Sequence, residues 1–223
     1  MSNVKYVYKP RINGNNVVYR NSNGENIKCT FYKNTQCLPN ALNSCVSGKS
    51  PNVTKEQLLE NVYKQVGLFY KTDAGSYSAV VLKRLESLIK LYSEKSSEGE
   101  ENGVITQNEQ FKMMEIWHRW FGFDKEYQSS PEDSITKTLD SFMSNNKQSV
   151  YEKGQLLENI YLQTGHIYTN HSGYEDAIVL ERLESLIELY SGKYSEGEEG
   201  MITKSELQKI KELFKQWFCF SDK

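Results

Sequence analysis

The segment LLENVYKQVGLFYKTDAGSYSAVVLKRLESLIKLYS begins at Leu58, and LLENIYLQTGHIYTNHSGYEDAIVLERLESLIELYS begins at Leu156. The match continues through two acidic loops, with Asn102 as one inserted residue in the first copy. It ends at WFGF (Trp120 to Phe123) and WFCF (Trp217 to Phe220). Roughly 36 of about 65 aligned positions are identical, so the chain carries an internal duplication and any fold assigned to one copy must suit the other.

Each copy predicts three helices. The first opens at Thr54-Lys-Glu-Gln57 in copy one and at Ser149-Val-Tyr-Glu152 in copy two. Both fit a capping box, in which the hydroxyl takes a free backbone N–H and the long side chain reaches back. Val53 and Leu58 are placed for a hydrophobic staple around the first box. Gly75 and Gly173 mark the next turn, and Ser172-Gly-Tyr-Glu175 is a further capping box. Val81, Leu85, Leu88 and Tyr92 give the second helix its apolar face, matched by Val179, Leu183, Leu186 and Tyr190. The third places Met113, Ile116, Trp117, Trp120 and Phe121 together, matched by Ile210, Leu213, Phe214, Trp217 and Phe218. Three helices with one apolar face each imply a small bundle.

The first 50 residues follow another pattern. Tyr6–Tyr8, Val17–Tyr19 and Ile27–Tyr32 are rich in strand formers, and Asn13-Gly14 and Asn23-Gly24 punctuate them as hairpin signals. A short helix is expected near Asn40–Val46, after Pro39. Between the copies, Ser130-Pro-Glu-Asp133 starts a helix, and Ile135, Leu139, Phe142 and Met143 give it an apolar stripe. The expected fold is mainly α (α+β). A small N-terminal three-stranded antiparallel β meander (1–50) precedes helical repeat 1 (51–123), a packed linker helix (124–148) and helical repeat 2 (149–223).

Charge separates the head from the body. Residues 1–50 hold seven cations against Glu25 alone, a net of about +6, which leaves about −8 for the remainder of a chain of net charge −2. Lys5, Lys9, Arg11, Arg20, Lys28 and Lys33 are the candidate contacts for an acidic partner or for a second copy of the chain. A pI near 6.0 and scattered cations argue against nucleic acid. The aromatics at the ends of the two copies, Trp120, Phe121, Phe123, Trp217, Phe218 and Phe220, either pack the core or form a docking patch.

An apolar fraction of 38% fits a globular chain, while no apolar run reaches the ~18 residues of a membrane span. MSNVKYVYKPRING lacks the apolar core of a secretory signal, so an intracellular, cytoplasmic location with reduced thiols is expected. The richness in Asn, Lys and Tyr points to an AT-rich genome, such as that of a virus or a parasite.

SEGEENGVITQNE (Ser97 to Glu109) and SEGEEGMITKSE (Ser195 to Glu206) raise the question of a metal. These loops resemble those of the EF-hand calcium proteins, whose twelve-residue loop has Gly at position 6, an apolar residue at 8 and a bidentate Glu at 12. Counting from Glu98, Gly103, Ile105 and Glu109 take those places, and Gly200, Ile202 and Glu206 do so counting from Ser195. The resemblance implies Glu98, Glu100, Asn102, the Val104 carbonyl, Thr106 and Glu109 as calcium ligands. Copy two departs from the family pattern with Ser195 at position 1 and Gly197 at position 3. The two acidic loops also lie about a hundred residues apart, whereas EF-hand loops work as close pairs. The same residues have a second explanation. Thr106-Gln-Asn-Glu109 and Thr203-Lys-Ser-Glu206 are capping boxes, Gly supplies a turn, and the acids favour the positive end of a helix.

Two other chemistries merit weighing. Cys37, at an expected helix start with His166 or His171 far downstream, resembles the nucleophile of papain-like and ovarian-tumour-type cysteine hydrolases. The alternative is a small thiol buried under the sheet. Cys29, Cys37 and Cys45 are spaced eight apart, unlike zinc pairs. Ser47-Gly-Lys-Ser50 has Asn43 where a phosphate-binding loop needs Gly. With no convergent catalytic set, the leading expectation is a non-enzymatic interaction or assembly protein without a cofactor. A calcium-binding module and a cysteine hydrolase stand as alternatives.

Overall fold

The computed structural model describes residues 9–31, 35–45, 52–66, 75–94, 103–122, 131–144, 148–163, 173–192 and 198–218. The chain is mainly helical with a small three-stranded antiparallel sheet near its N-terminus. It divides into two compact units, Met1–Asp124 and Lys125–Lys223.

The first unit opens with β1 (Arg11–Asn13), β2 (Asn16–Arg20) and β3 (Asn26–Thr30), paired in that order. Tyr6–Tyr8, expected as the first strand, lies outside the described residues, and the first described strand is Arg11–Asn13. Alternation sends Val17, Tyr19 and Cys29 into the core, and Phe31 follows them there. Helix α1 (Cys37–Cys45) packs against β1, with Leu38, Ala41 and Leu42 all fully buried. This helix starts before Pro39 rather than after it, because a proline in the first turn lacks only an N–H that would have had no helical partner.

Then come β4 (Val53–Thr54), α2 (Lys55–Val66), α3 (Gly75–Glu94), β5 (Val104–Ile105) and α4 (Gln107–Phe121). The two short strands pair antiparallel, Val53 opposite Ile105 and Thr54 opposite Val104. Lys55 N–H extends the pairing by donating to the Gly103 carbonyl at 2.7 Å. The sheet and α4 share an interface. Phe31 bridges to Gly122, His118 lies edge-on to Tyr19 and Phe31, and Trp117 Nε1 donates to the Thr35 carbonyl at 2.7 Å. A Cβ on residue 122 would lie 2.1 Å from His118 Cδ2, so glycine is what permits this close approach. On α4, Met113, Ile116, Trp117, Trp120 and Phe121 are all fully buried, as their spacing predicts.

The second unit contains α5 (Pro131–Ser144), β6 (Val150–Glu152), α6 (Lys153–Gln163), α7 (Gly173–Ser191), β7 (Met201–Thr203) and α8 (Lys204–Phe218). Strands β6 and β7 pair antiparallel, with Tyr151 opposite Ile202. Helix α5 begins at Pro131 as expected and packs on α6 and α8, with Ile135 and Leu139 fully buried. Asp140 on α5 pairs with Lys211 on α8, and Tyr151 OH donates to the Phe142 carbonyl at 2.6 Å. The expected capping box at Ser149–Glu152 does not form. Those residues lead into and make up β6, and the helix starts at Lys153, three residues later than a cap at Ser149 would start it. Pairing with Met201–Thr203 outweighs the local capping signal.

Candidate functional site: the paired loops and the basic sheet face

Each acidic loop ends in a helix start fixed by its own side chains. In the first unit, Thr106 has φ −70° and ψ 162°, the extended conformation of an N-cap. Thr106 N–H and Oγ1–H both donate to Glu109 Oε2, at 2.8 and 2.9 Å, and Glu109 N–H donates back to Thr106 Oγ1 at 3.3 Å. The second unit repeats this with Thr203 and Glu206 at 2.8, 2.8 and 3.3 Å. Glu109 is 8% exposed and Glu206 fully buried. One residue before each short strand, Gly103 and Gly200 adopt φ +90° and +82°, the left-handed region that side chains other than glycine rarely enter. Their N–H groups donate to the carbonyls of Ser93 and Ser191, at 3.2 and 2.8 Å, tying each loop back to the end of the preceding helix.

The loops are indeed paired, but not with each other. The strand after Gly103 pairs with Val53–Thr54, and the strand after Gly200 pairs with Val150–Glu152. The strand that follows each acidic sequence therefore pairs with a segment of its own unit whose sequence carries almost no acid. Residues 46–57 contain Glu56 as their one carboxylate, and residues 144–155 contain Glu152. Where the acidic loops have Glu109 and Glu206, four residues after the paired Ile, these partners have Gln57 and Gln155. Gln57 makes the same box as Glu109. Its Oε1 accepts from Thr54 N–H at 3.1 Å, and its own N–H donates to Thr54 Oγ1 at 3.2 Å.

Only half of the expected calcium ligand set falls among the described residues. Val104, Thr106 and Glu109 are described, while Glu98, Glu100 and Asn102 lie outside the described residues. Thr106 and Glu109 are hydrogen-bonded to each other. Among the described residues no group of three His, Cys, Asp or Glu side chains converges. The described donors Thr106 and Glu109 form a helix cap.

Cys37 lies at the N-terminus of α1, where sequence spacing puts it, but its side chain is fully buried. Burial pushes its thiol up to about 12, despite backbone hydrogen bonds from Leu38 and Cys37 that act the other way. A nucleophilic cysteine needs the opposite shift and access to solvent. His166 and His171 lie outside the described residues.

The candidate contacts separate by exposure. Lys9, Arg11 and Lys28 are exposed and Arg20 is half-buried, while Lys5 and Lys33 lie outside the described residues. Trp120 and Phe121 are fully buried, so they offer no surface, whereas Trp217 is 46% exposed. Phe123 and Phe220 lie outside the described residues, as does the side chain of Phe218. Leu189 on α7 is 51% exposed, which the sequence did not single out, since its helical spacing resembles that of its buried neighbours. No described helix is long and apolar enough to cross a membrane. The chain matches no protein-family model, no curated protein and no solved structure.

Proposed function

We propose that the protein is a non-enzymatic interaction or assembly protein, built from a duplicated helical unit whose loops are held by side-chain caps. In this reading the two copies seen in the sequence are two versions of one module. Each forms a pair of helix–strand–helix elements clipped together at its short strands, which α1 completes in the first unit and α5 in the second. The pairing of an acidic with a non-acidic loop in each unit is the feature they share.

The observation that carries the reading is the Thr54–Gln57 box. A neutral amide occupies the place of Glu109 and does the same work, so the arrangement serves the helix start without needing a charge for an ion. A module locked in this way presents fixed surfaces. The basic head, acidic loops and exposed Leu189 and Trp217 are the features available for partners. Cys29, Cys37 and Cys45 are free thiols, which suits an intracellular setting.

Isothermal calorimetry with calcium on the full chain tests this reading. The expected result is no saturable heat at calcium concentrations up to the millimolar range. A saturable, one-site isotherm would replace it with the calcium-binding alternative.

A further inference from the structure

The register of the N-terminal sheet sorts its residues in a way the sequence alone does not. Arg11 lies opposite Val18, and Val18 opposite Lys28. Because side chains alternate across a strand, these three share the face turned away from buried Val17, Tyr19 and Cys29. Asn13, Asn16 and Thr30 form the next row on the same outer face, and Arg20 with Asn26 a third. Arg11, Asn13, Asn16, Asn26 and Lys28 are all exposed. Among the described residues of its strands the face therefore carries three cations and no carboxylate. Glu25, the one acid of the head, is held in the β2–β3 turn by Asn21, whose Nδ2 donates to it at 2.9 Å. With strands about 4.8 Å apart, Arg11 and Lys28 stand about 10 Å from each other on either side of Val18.

We infer that this outer face docks a second copy of the chain, through the acidic turn at Glu198 and Glu199 in that copy's second unit. The inference rests on the interaction reading above and names its surface. Both glutamates are exposed. Their backbone is set by Gly200 at φ +82°, by Met201 N–H donating to the Glu198 carbonyl at 3.0 Å, and by Gly200 N–H on Ser191. Two carboxylates on a turn whose backbone is already set lose little backbone entropy when they meet two cations on a sheet. The charges also suit a partner of this composition, since a head of about +6 belongs to a body of about −8. Nucleic acid is disfavoured. Among the described residues the face has no aromatic side chain on which bases would stack, and the chain as a whole is acidic.

Sedimentation of the full chain tests the contact at about 0.05 M and about 0.5 M salt, where exposed charges go from weakly to strongly screened. The expected result is a mass above that of one chain at low salt, falling to one chain at high salt. Arg11→Glu with Lys28→Glu, and separately Glu198→Lys with Glu199→Lys, each leave a single-chain mass at low salt, while an equal mixture of the two variants associates again. All four positions are exposed, so the helical circular dichroism of each variant should match the wild type. Should one pair misfold, Arg11→Gln with Lys28→Gln or Glu198→Gln with Glu199→Gln takes its place and is expected to weaken association. A wild-type mass of one chain at low salt overturns the proposal, as does a variant mixture that stays dissociated. Loss of binding to a fluorescent single-stranded oligonucleotide in the head variant, with its mass unchanged from wild type, overturns it in favour of nucleic acid. The calcium titration is independent of every one of these readouts, so failure of the docking contact and failure of the locked-loop reading are distinguishable.

Discussion

The two units share their loop chemistry and differ in what lies over their last helices. Thr106–Glu109 and Thr203–Glu206 agree to within 0.1 Å in all three hydrogen bonds. Yet Trp120 is fully buried while Trp217, its counterpart by sequence, is 46% exposed, and Leu91 and Leu189 are 7% and 51% exposed. The loop repeats because its geometry is settled by residues three or four apart. Burial does not repeat, because it depends on elements outside the duplicated segment. Helix α4 has Tyr19, Phe31 and Thr35 of the head against His118, Gly122 and Trp117. Helix α8 instead has α5, joined to it by Lys211 and Asp140.

The sharpest way to break this comparison is to truncate the aromatics. Trp120→Ala removes a fully buried indole, and it should cost about 3–5 kcal/mol in the unfolding of the first unit. Trp217→Ala should cost less than about 1 kcal/mol. Urea unfolding followed separately for each unit reads both. Equal losses would mean that the second unit buries its tryptophan in solution.

Cys37 provides a probe of the first unit alone. In the native chain at pH 8 it should resist a disulfide reagent that reacts freely once the chain is unfolded. The sign of its pH effect follows from linkage. The folded thiol keeps its proton up to about 12 while the unfolded one loses it near 9.0, so the native state binds more protons between those values. This contribution therefore destabilises the fold as pH rises through that window, and Cys37→Ala should flatten that part of the fall. Rapid native modification of Cys37 at pH 8 would place it at the surface and reopen the hydrolase alternative.

A smaller effect tests whether the loops really are equivalent. Thr106→Ala and Thr203→Ala should each cost about 0.5–2 kcal/mol, and by similar amounts, because each frees the same helix-start N–H. A large cost in only one unit would show that the two caps carry different loads.

How much of this was legible beforehand depends on the range of the signal. The caps at Thr54, Thr106 and Thr203 were readable because a hydroxyl and a Glu or Gln three residues on are the whole device. The buried face of α4 was readable from its period. Val53–Thr54 and Val104–Ile105 were not, since two-residue strands have no period and pair across about fifty residues. Ser149–Glu152 misled for the same reason, because a distant strand partner overrode a local cap. That the strand after each acidic sequence pairs with a segment poor in acid could be seen only once those strands were paired. The exposure of Trp217 depends on what stands over α8, and α8 itself carries no record of it.

At the centre of the proposed reading are side-chain caps, in place of a bound ion, at the helix starts that follow the acidic sequences. Thermal melts of wild type and Glu109→Gln, each with excess chelator and with millimolar calcium, test it most directly. Calcium present at a hundred times its Kd would add about 2.7 kcal/mol to a native state that alone binds it. In a chain of this size that is a rise of roughly 5–11 °C. The account predicts no shift with calcium in either protein. It also predicts that Glu109→Gln costs less than about 1 kcal/mol, because Gln57 already makes the same box with an amide. A calcium-dependent rise of several degrees in the wild type, lost in Glu109→Gln and kept in Glu206→Gln, would contradict it.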